Sequence, residues 1–248
     1  MVFKNLLIRF VSNIRIMIKE PLEKILFMDV ETVGCSPSYE ALKESNPILA
    51  EQFNSYGDQF KRKFVEDKDK SVDEIFQNRS GLTPEFAKIV CVSFAFIVNG
   101  EVRVQSFSGD DEKEILLGVR DIMDRVNPKG YVLCGHNVKG FDIPMLEKRM
   151  IINGIAIPSI LPSYDTKPWE MKVIDTKDVW ACGAWGTIGS LELICASLGI
   201  ESPKNTGVKG DEVHSTYWSG GKIEMITEYC EKDTVTLVEI VMKLKDLK

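Results

Sequence analysis

The sequence predicts an α/β fold: a mixed five-stranded sheet flanked by helices, with a helical insertion between strands one and two. Three observations predict it. The apolar run Ile25-Leu26-Phe27-Met28 is short and continuous, as for a strand buried on both faces. Residues 87–107 read as two strands around Asn99-Gly100, a strong two-residue hairpin signal. From residue 111 onward, helical spacing alternates with short apolar runs.

Residues 24–30 give the first strand, 87–98 the second, and the alternating stretch 101–107 the third. A helix over 111–126 has its apolar positions at Ile115, Leu116, Val119, Ile122, Met123 and Val126, and Asn127-Pro128 ends it. The fourth strand is 131–135. A helix at 143–152 stops at Asn153-Gly154, and 172–175 is a short fifth strand. Residues 190–198 form a helix closed by Gly199, and 222–247 the last, long one. The charged segment 35–85 has Leu42, Ile48, Leu49, Phe53, Phe60, Phe64, Ile75 and Phe76 spaced for two or three amphipathic helices. With strands one to three antiparallel, and four and five parallel to the first, the arrangement is RNase H-like. Residues 21–248 would form this domain and 1–20 an N-terminal extension.

The 248 residues are enough for one large domain, and 44% apolar with 27% charged residues is ordinary for a globular protein. The net charge of −6 advertises no nucleic-acid partner, although an enzyme that meets phosphates through bound cations can be acidic overall. Six scattered cysteines without a CxxC pair argue for a reducing compartment and against zinc. The apolar stretch 3–18 is interrupted by Lys4, Arg9, Asn13 and Arg15, too broken for a membrane span, so a cytoplasmic location is expected.

Three acidic motifs follow in order. Asp29-Val30-Glu31 ends the first apolar run; strand periodicity puts both carboxylates on one face, where they can reach one ion. On its own, Asp29 would more often merely cap a turn. Asn137-Val138-Lys139-Gly140-Phe141-Asp142 follows the fourth strand. Here Phe141 would pack inward and aim Asp142, Asn137 would bond loop backbone or a phosphate, and Asp142 could equally be a helix N-cap. Tyr229-Cys230-Glu231-Lys232-Asp233 lies in the last helix, with Tyr229 and Asp233 four apart on one face beside the buried stripe. Thr32 could offer its hydroxyl or backbone to a terminal nucleotide, though a turn role is the default. Asp175 reads as structural. Lys139, the loop 204–210 and the four tryptophans are weaker candidates for substrate contact.

This constellation resembles the DEDD superfamily of 3′–5′ exonucleases, in its tyrosine-bearing branch. The nearer likeness is to the proofreading exonuclease domain of family B DNA polymerases and to stand-alone predicted exonucleases related to it. The phrase Leu82-Thr83-Pro84-Glu85-Phe86-Ala87-Lys88-Ile89-Val90 and residues 190–213 share it. The other branch places a histidine five residues before its last Asp; here that position is Glu228. The resemblance implies that Asp29, Glu31, Asp142 and Asp233 hold two Mg²⁺ or Mn²⁺ ions about 3.5–4 Å apart. It also implies that Tyr229 positions the attacking water; Thr32, Asn137 and Phe141 are the candidate substrate contacts. The implied activity is 3′–5′ hydrolysis of single-stranded DNA; short RNA is the rival substrate. A silent nucleic-acid-binding module ranks lower, because all four carboxylates are present. No polymerase region accompanies the motifs, so proofreading would act in trans, with an unidentified replication or repair partner.

Overall fold

In the computed structural model, residues 18–167, 169–184, 186, 189–202 and 210–245 are described. Five strands, β1 (Ile25–Gly34), β2 (Ala87–Val98), β3 (Glu101–Ser108), β4 (Val132–Gly135) and β5 (Val173–Asp175), form one sheet in the order β3-β2-β1-β4-β5. β1 is central, antiparallel to β2 and parallel to β4; β3 pairs antiparallel with β2, and β5 parallel with β4. This is the expected mixed sheet. The hairpin turns at Asn99-Gly100, both with positive φ.

β1 runs four residues further than the apolar run alone predicts, to Gly34. Pairing with β2 sustains it, so Asp29 and Glu31 sit inside the strand rather than at its end. The register with β2 shifts between Glu31 and Thr32. Thr32 is therefore a strand residue at an irregularity, not a turn residue.

Alternation along β1 builds two layers. Leu26, Met28 and Val30 pack under α4 (Glu112–Val126) and α5 (Asp142–Ile152), with Leu116, Met123, Leu146 and Met150 in the same cluster. Ile25 and Phe27 face the opposite way, toward Leu237 and Val241 of α9 (Ile223–Lys245). Asp29 and Glu31 continue that second face by the period of two. Ile18 is also buried in this layer, and Lys245 Nζ donates to the carbonyls of Ile18 and Glu20.

Three helices fill the insertion: α1 (Tyr39–Ser45), α2 (Pro47–Lys63) and α3 (Val72–Arg79). Ser38 and Asn46 cap the first two, and a Ser71/Glu74 capping box starts the third. Their own small core centres on Phe53, edge-on to Phe76 at 4.9 Å and to Phe86 at 5.0 Å. Ile48, expected to pack there, is 75% exposed. It lies two residues before buried Ala50, roughly 200° around the helix from that stripe. Among the described residues the remaining α-helices are α6 (Thr176–Ala181), α7 (Leu191–Leu198) and α8 (Val213–Gly220). Among the described residues no helix is long and apolar enough to cross a membrane.

Candidate active site

Helix α9 lays Ile226, Tyr229, Cys230, Asp233, Leu237 and Val241 against the sheet. Tyr229 and Asp233 belong to this buried stripe, 6% and 8% exposed, rather than lying beside it as expected. The carboxylates of Asp29, Glu31 and Asp233 consequently converge, one oxygen from each lying within 4.8 Å of the others. Asp142 stands outside that radius at the first position of α5, only 4% exposed, and its charge acts on both Asp29 and Glu31. It is not the N-cap. Phe141 holds that position without a side-chain cap bond, and the Asp142 carboxylate instead bonds the main chain of β1 at Val30.

The electrostatics are those of acids confined together. Burial, and secondly the charge of Asp142, push the Asp29 carboxyl up to about 7. Asp142 rises to about 7, mainly by burial, with the main chain around it and at Val30 moderating the rise. Glu31 is driven well above the carboxylate range by burial, then by Asp29 and Asp233. The Tyr229 phenol is pushed far up by burial and by Asp233, Glu31 and Asp29, so it keeps its proton at any physiological pH. Four oxygen donors, mutually repelling and enclosed, fit hard divalent cations such as Mg²⁺ or Mn²⁺.

The loop before Asp142 is held from beneath. Asp175, buried at the end of β5, accepts from the N–H groups of Asn137 (2.9 Å), Lys139 (3.1 Å) and Lys177 (3.0 Å). The expected structural role of Asp175 is thus that of a clamp on the second motif. Asn137 adopts a left-handed φ of 56°, its carbonyl accepts from Gly140 and Phe141, and its Oδ1 accepts from Lys177 Nζ. Asn137, a substrate candidate, is engaged in building the loop. Gly135 is required at the end of β4, because a Cβ there would stand 2.7 Å from Val138 Cβ and 3.1 Å from Met28 O. His136 bonds Thr176 Oγ1 at 2.9 Å, as a structural loop residue should.

Thr32 donates its hydroxyl to Gly81 O at 2.7 Å, so this group is occupied by the insertion. Phe141 is half-buried, packs on the α4/α5 layer and lines a cavity with Glu31 and Thr32. Lys139 pairs with Asp178 at 3.0 Å. Trp218 donates to Gly34 O, Trp180 packs on the α9 layer, and Trp169 is 78% exposed. Trp185 and most of the loop 204–210 fall outside the described residues. Sequence reasoning missed Cys230 as a site neighbour: its thiol lies 3.4 Å from Asp29 Oδ2. Its place on the α9 stripe was visible, but not which strand residue it meets.

An RNase H-like sheet that brings an all-oxygen acidic cluster to its central strand and last helix defines a protein of the nuclease class. More than half of the chain, residues 81–247, matches the family of predicted 3′–5′ exonucleases related to the exonuclease domain of PolB, and the chain belongs to that family. The matched segment contains Asp142, Tyr229 and Asp233; Asp29 and Glu31 precede it. The fold is similar to that of the family B DNA polymerase from the hyperthermophilic archaeon Pyrobaculum calidifontis, with a TM-score of 0.57 and 15% identity. The similarity covers 91% of this chain but only 25% of the polymerase. No curated protein matches the chain.

Proposed function

We propose that this protein is a metal-dependent 3′–5′ exonuclease that removes terminal nucleotides from single-stranded DNA. The observation that carries the reading is the convergence of Asp29, Glu31 and Asp233 within 4.8 Å, with Asp142 acting on the same group. Their enclosed negative charge is unfavourable alone and becomes favourable around cations. Two bound divalent ions would neutralise the phosphodiester and activate water. The chain itself does the rest. Asp29 and Glu31 are fixed by the sheet, Asp233 by α9 and Asp142 by the loop clamped on Asp175, so the donors are set before substrate arrives. Tyr229, held protonated, cannot act as a base; its phenol is a hydrogen-bonding group that orients the attacking water. Phe141 offers a ring face to the terminal nucleotide.

The test is digestion of 5′-labelled single-stranded DNA and matched RNA with Mg²⁺, Mn²⁺ or EDTA, beside Asp29→Ala. A cation-dependent ladder that shortens from the 3′ end and vanishes in Asp29→Ala is expected, with DNA the preferred strand. A folded protein that binds oligonucleotide but cleaves neither strand would make it a silent binding module.

A further inference from the structure

Glu31 belongs both to the carboxylate cluster and to the lining of an adjoining cavity of about 230 Å³. One side of that cavity is β1 and Phe141. Another is the insertion, with Gln77 and Asn78 at the end of α3 followed by Gly81 and Leu82, and a third is Gly210, Asp211 and His214. Its volume is below the roughly 300–1,000 Å³ of pockets for drug-sized ligands, which suits one ring system at a time.

The walls have a definite chemistry. Phe141 is half-buried and Leu82 is 48% exposed, so two apolar surfaces face a space open to solvent. The Thr32 hydroxyl is taken by Gly81 O. Gln77 gives its amide N–H to Asp73 at 2.7 Å, so its oxygen is the group it can offer. The Asn78 carboxamide makes no hydrogen bond among the described residues and is exposed, with a donor and an acceptor side by side. Carboxamides that share a cavity with apolar side chains are suited to grip the edge of a nucleobase.

We infer that the inserted helices give the enzyme a preference for the 3′-terminal base, with Asn78, assisted by Gln77, as the specificity-determining residue. The identity of the ligand rests on the nuclease reading above. The presence of the carboxamides in a cavity that Glu31 also lines does not. Both side chains lie on the solvent face of a helix, so changing them leaves the core of the insertion intact.

The experiment uses four single-stranded DNA oligonucleotides that differ only in the 3′-terminal base. Values of kcat/KM are compared for the wild type, Asn78→Ala, Gln77→Ala and Asn78→Asp, the last of which exchanges the amide donor for an acceptor. The wild type is expected to prefer some bases. Asn78→Ala should flatten that ratio by about fivefold or more, the lower end of what a two-point contact between a carboxamide and a base supplies. Asn78→Asp should reorder the bases. Loss by one common factor for all four ends, or a wild type without preference, overturns the inference. A second arm needs no catalysis: calorimetric titration of the four 5′-mononucleotides with Mg²⁺ present. Selective binding that Asn78→Ala abolishes supports the cavity even if no oligonucleotide is cleaved, in which case only the nuclease reading fails. Absence of mononucleotide binding, or binding insensitive to Asn78, overturns the inference even in an active nuclease.

Discussion

The thiol of Cys230 lies 3.4 Å from Asp29 Oδ2 and 3.5 Å from the Asp29 carbonyl, tying α9 to the centre of β1. It is a weak donor, but it is buried and it bonds a group that must be aimed. Cys230 also touches the buried thiol of Cys91, so the layer beneath the acids is soft and tightly filled. Replacing Cys230 by Ala should remove both the donor and the filling. Groups that orient metal ligands typically matter by 10–100-fold, and a thiol belongs at the low end. Apparent Mn²⁺ affinity is therefore expected to weaken about tenfold. Cys230→Ser, which keeps a donor, should recover part of that loss in Mn²⁺ titrations of activity. Equal affinity in all three proteins would mean that the contact is packing alone.

Tyr229 separates positioning from metal binding. Tyr229→Phe keeps the buried ring and removes only the hydroxyl. If that hydroxyl orients the attacking water, kcat should fall by about 10²-fold while the Mn²⁺ dependence stays unchanged. The pH profile should keep its shape, because a phenol pushed so far up does not titrate in the working range. A changed profile would give Tyr229 an acid–base role.

Asp29→Asn should trade function for stability. Burial and Asp142 make the Asp29 charge costly in the metal-free protein, so the amide removes repulsion while spoiling a ligand. Activity is expected to fall by at least about 10²-fold. In EDTA, Tm should rise by about 2–4 °C for each kcal/mol of repulsion relieved. A lower Tm would show that the carboxylate has a stabilising partner.

The scaffold has its own ionic weak point. Arg149, 8% exposed, donates to Glu112 Oε1 at 2.8 Å and to the Pro84 carbonyl at 3.0 Å, and pairs with Glu112 Oε2. Glu112 also accepts from the Ile89 N–H at 2.7 Å. The pair joins α5, whose first residue is Asp142, to α4 and the start of β2. Arg149→Met leaves a buried carboxylate unpaired and is expected to cost about 3–5 kcal/mol in urea unfolding. A loss below about 1 kcal/mol would show that water replaces the guanidinium.

The sheet and the acids were legible because both rest on short-range pattern. Strand period set the face of Asp29 and Glu31, the i, i+4 spacing joined Tyr229 to Asp233, and Asn99-Gly100 fixed the hairpin. What was not legible depends on which surfaces meet. Thr32 reads as a turn residue with a hydroxyl to offer, and its partner Gly81 lies 49 residues later in the insertion. Asn137 could serve loop backbone or a phosphate, and only the distant Asp175 and Lys177 show that it is bound into its loop. The cavity residues Gln77 and Asn78 carry no signal in sequence, since exposed carboxamides at the end of a helix are ordinary. They acquire a role only because α3 is folded back beside β1.

The enclosed acids also set how stability responds to pH. Asp29 and Asp142 stand at about 7 in the folded chain, against 3.8 when exposed. An acid raised on folding contributes stability that is full below the unfolded value and is lost as pH climbs through the folded one. The metal-free protein should therefore lose stability between about pH 4 and 8. His136 and His214, both pushed down by burial, act in the opposite sense and cost stability as the pH falls below their ordinary range. The decisive quantity is thus the difference in the slope of Tm against pH between wild type and Asp29→Asn in EDTA. The wild type should fall more steeply toward pH 8. With Mn²⁺ present that difference should reverse, because cations replace the protons that the acids release and only the wild type has the full donor set. Parallel slopes with and without Mn²⁺ would mean that the four carboxylates do not share a cation site.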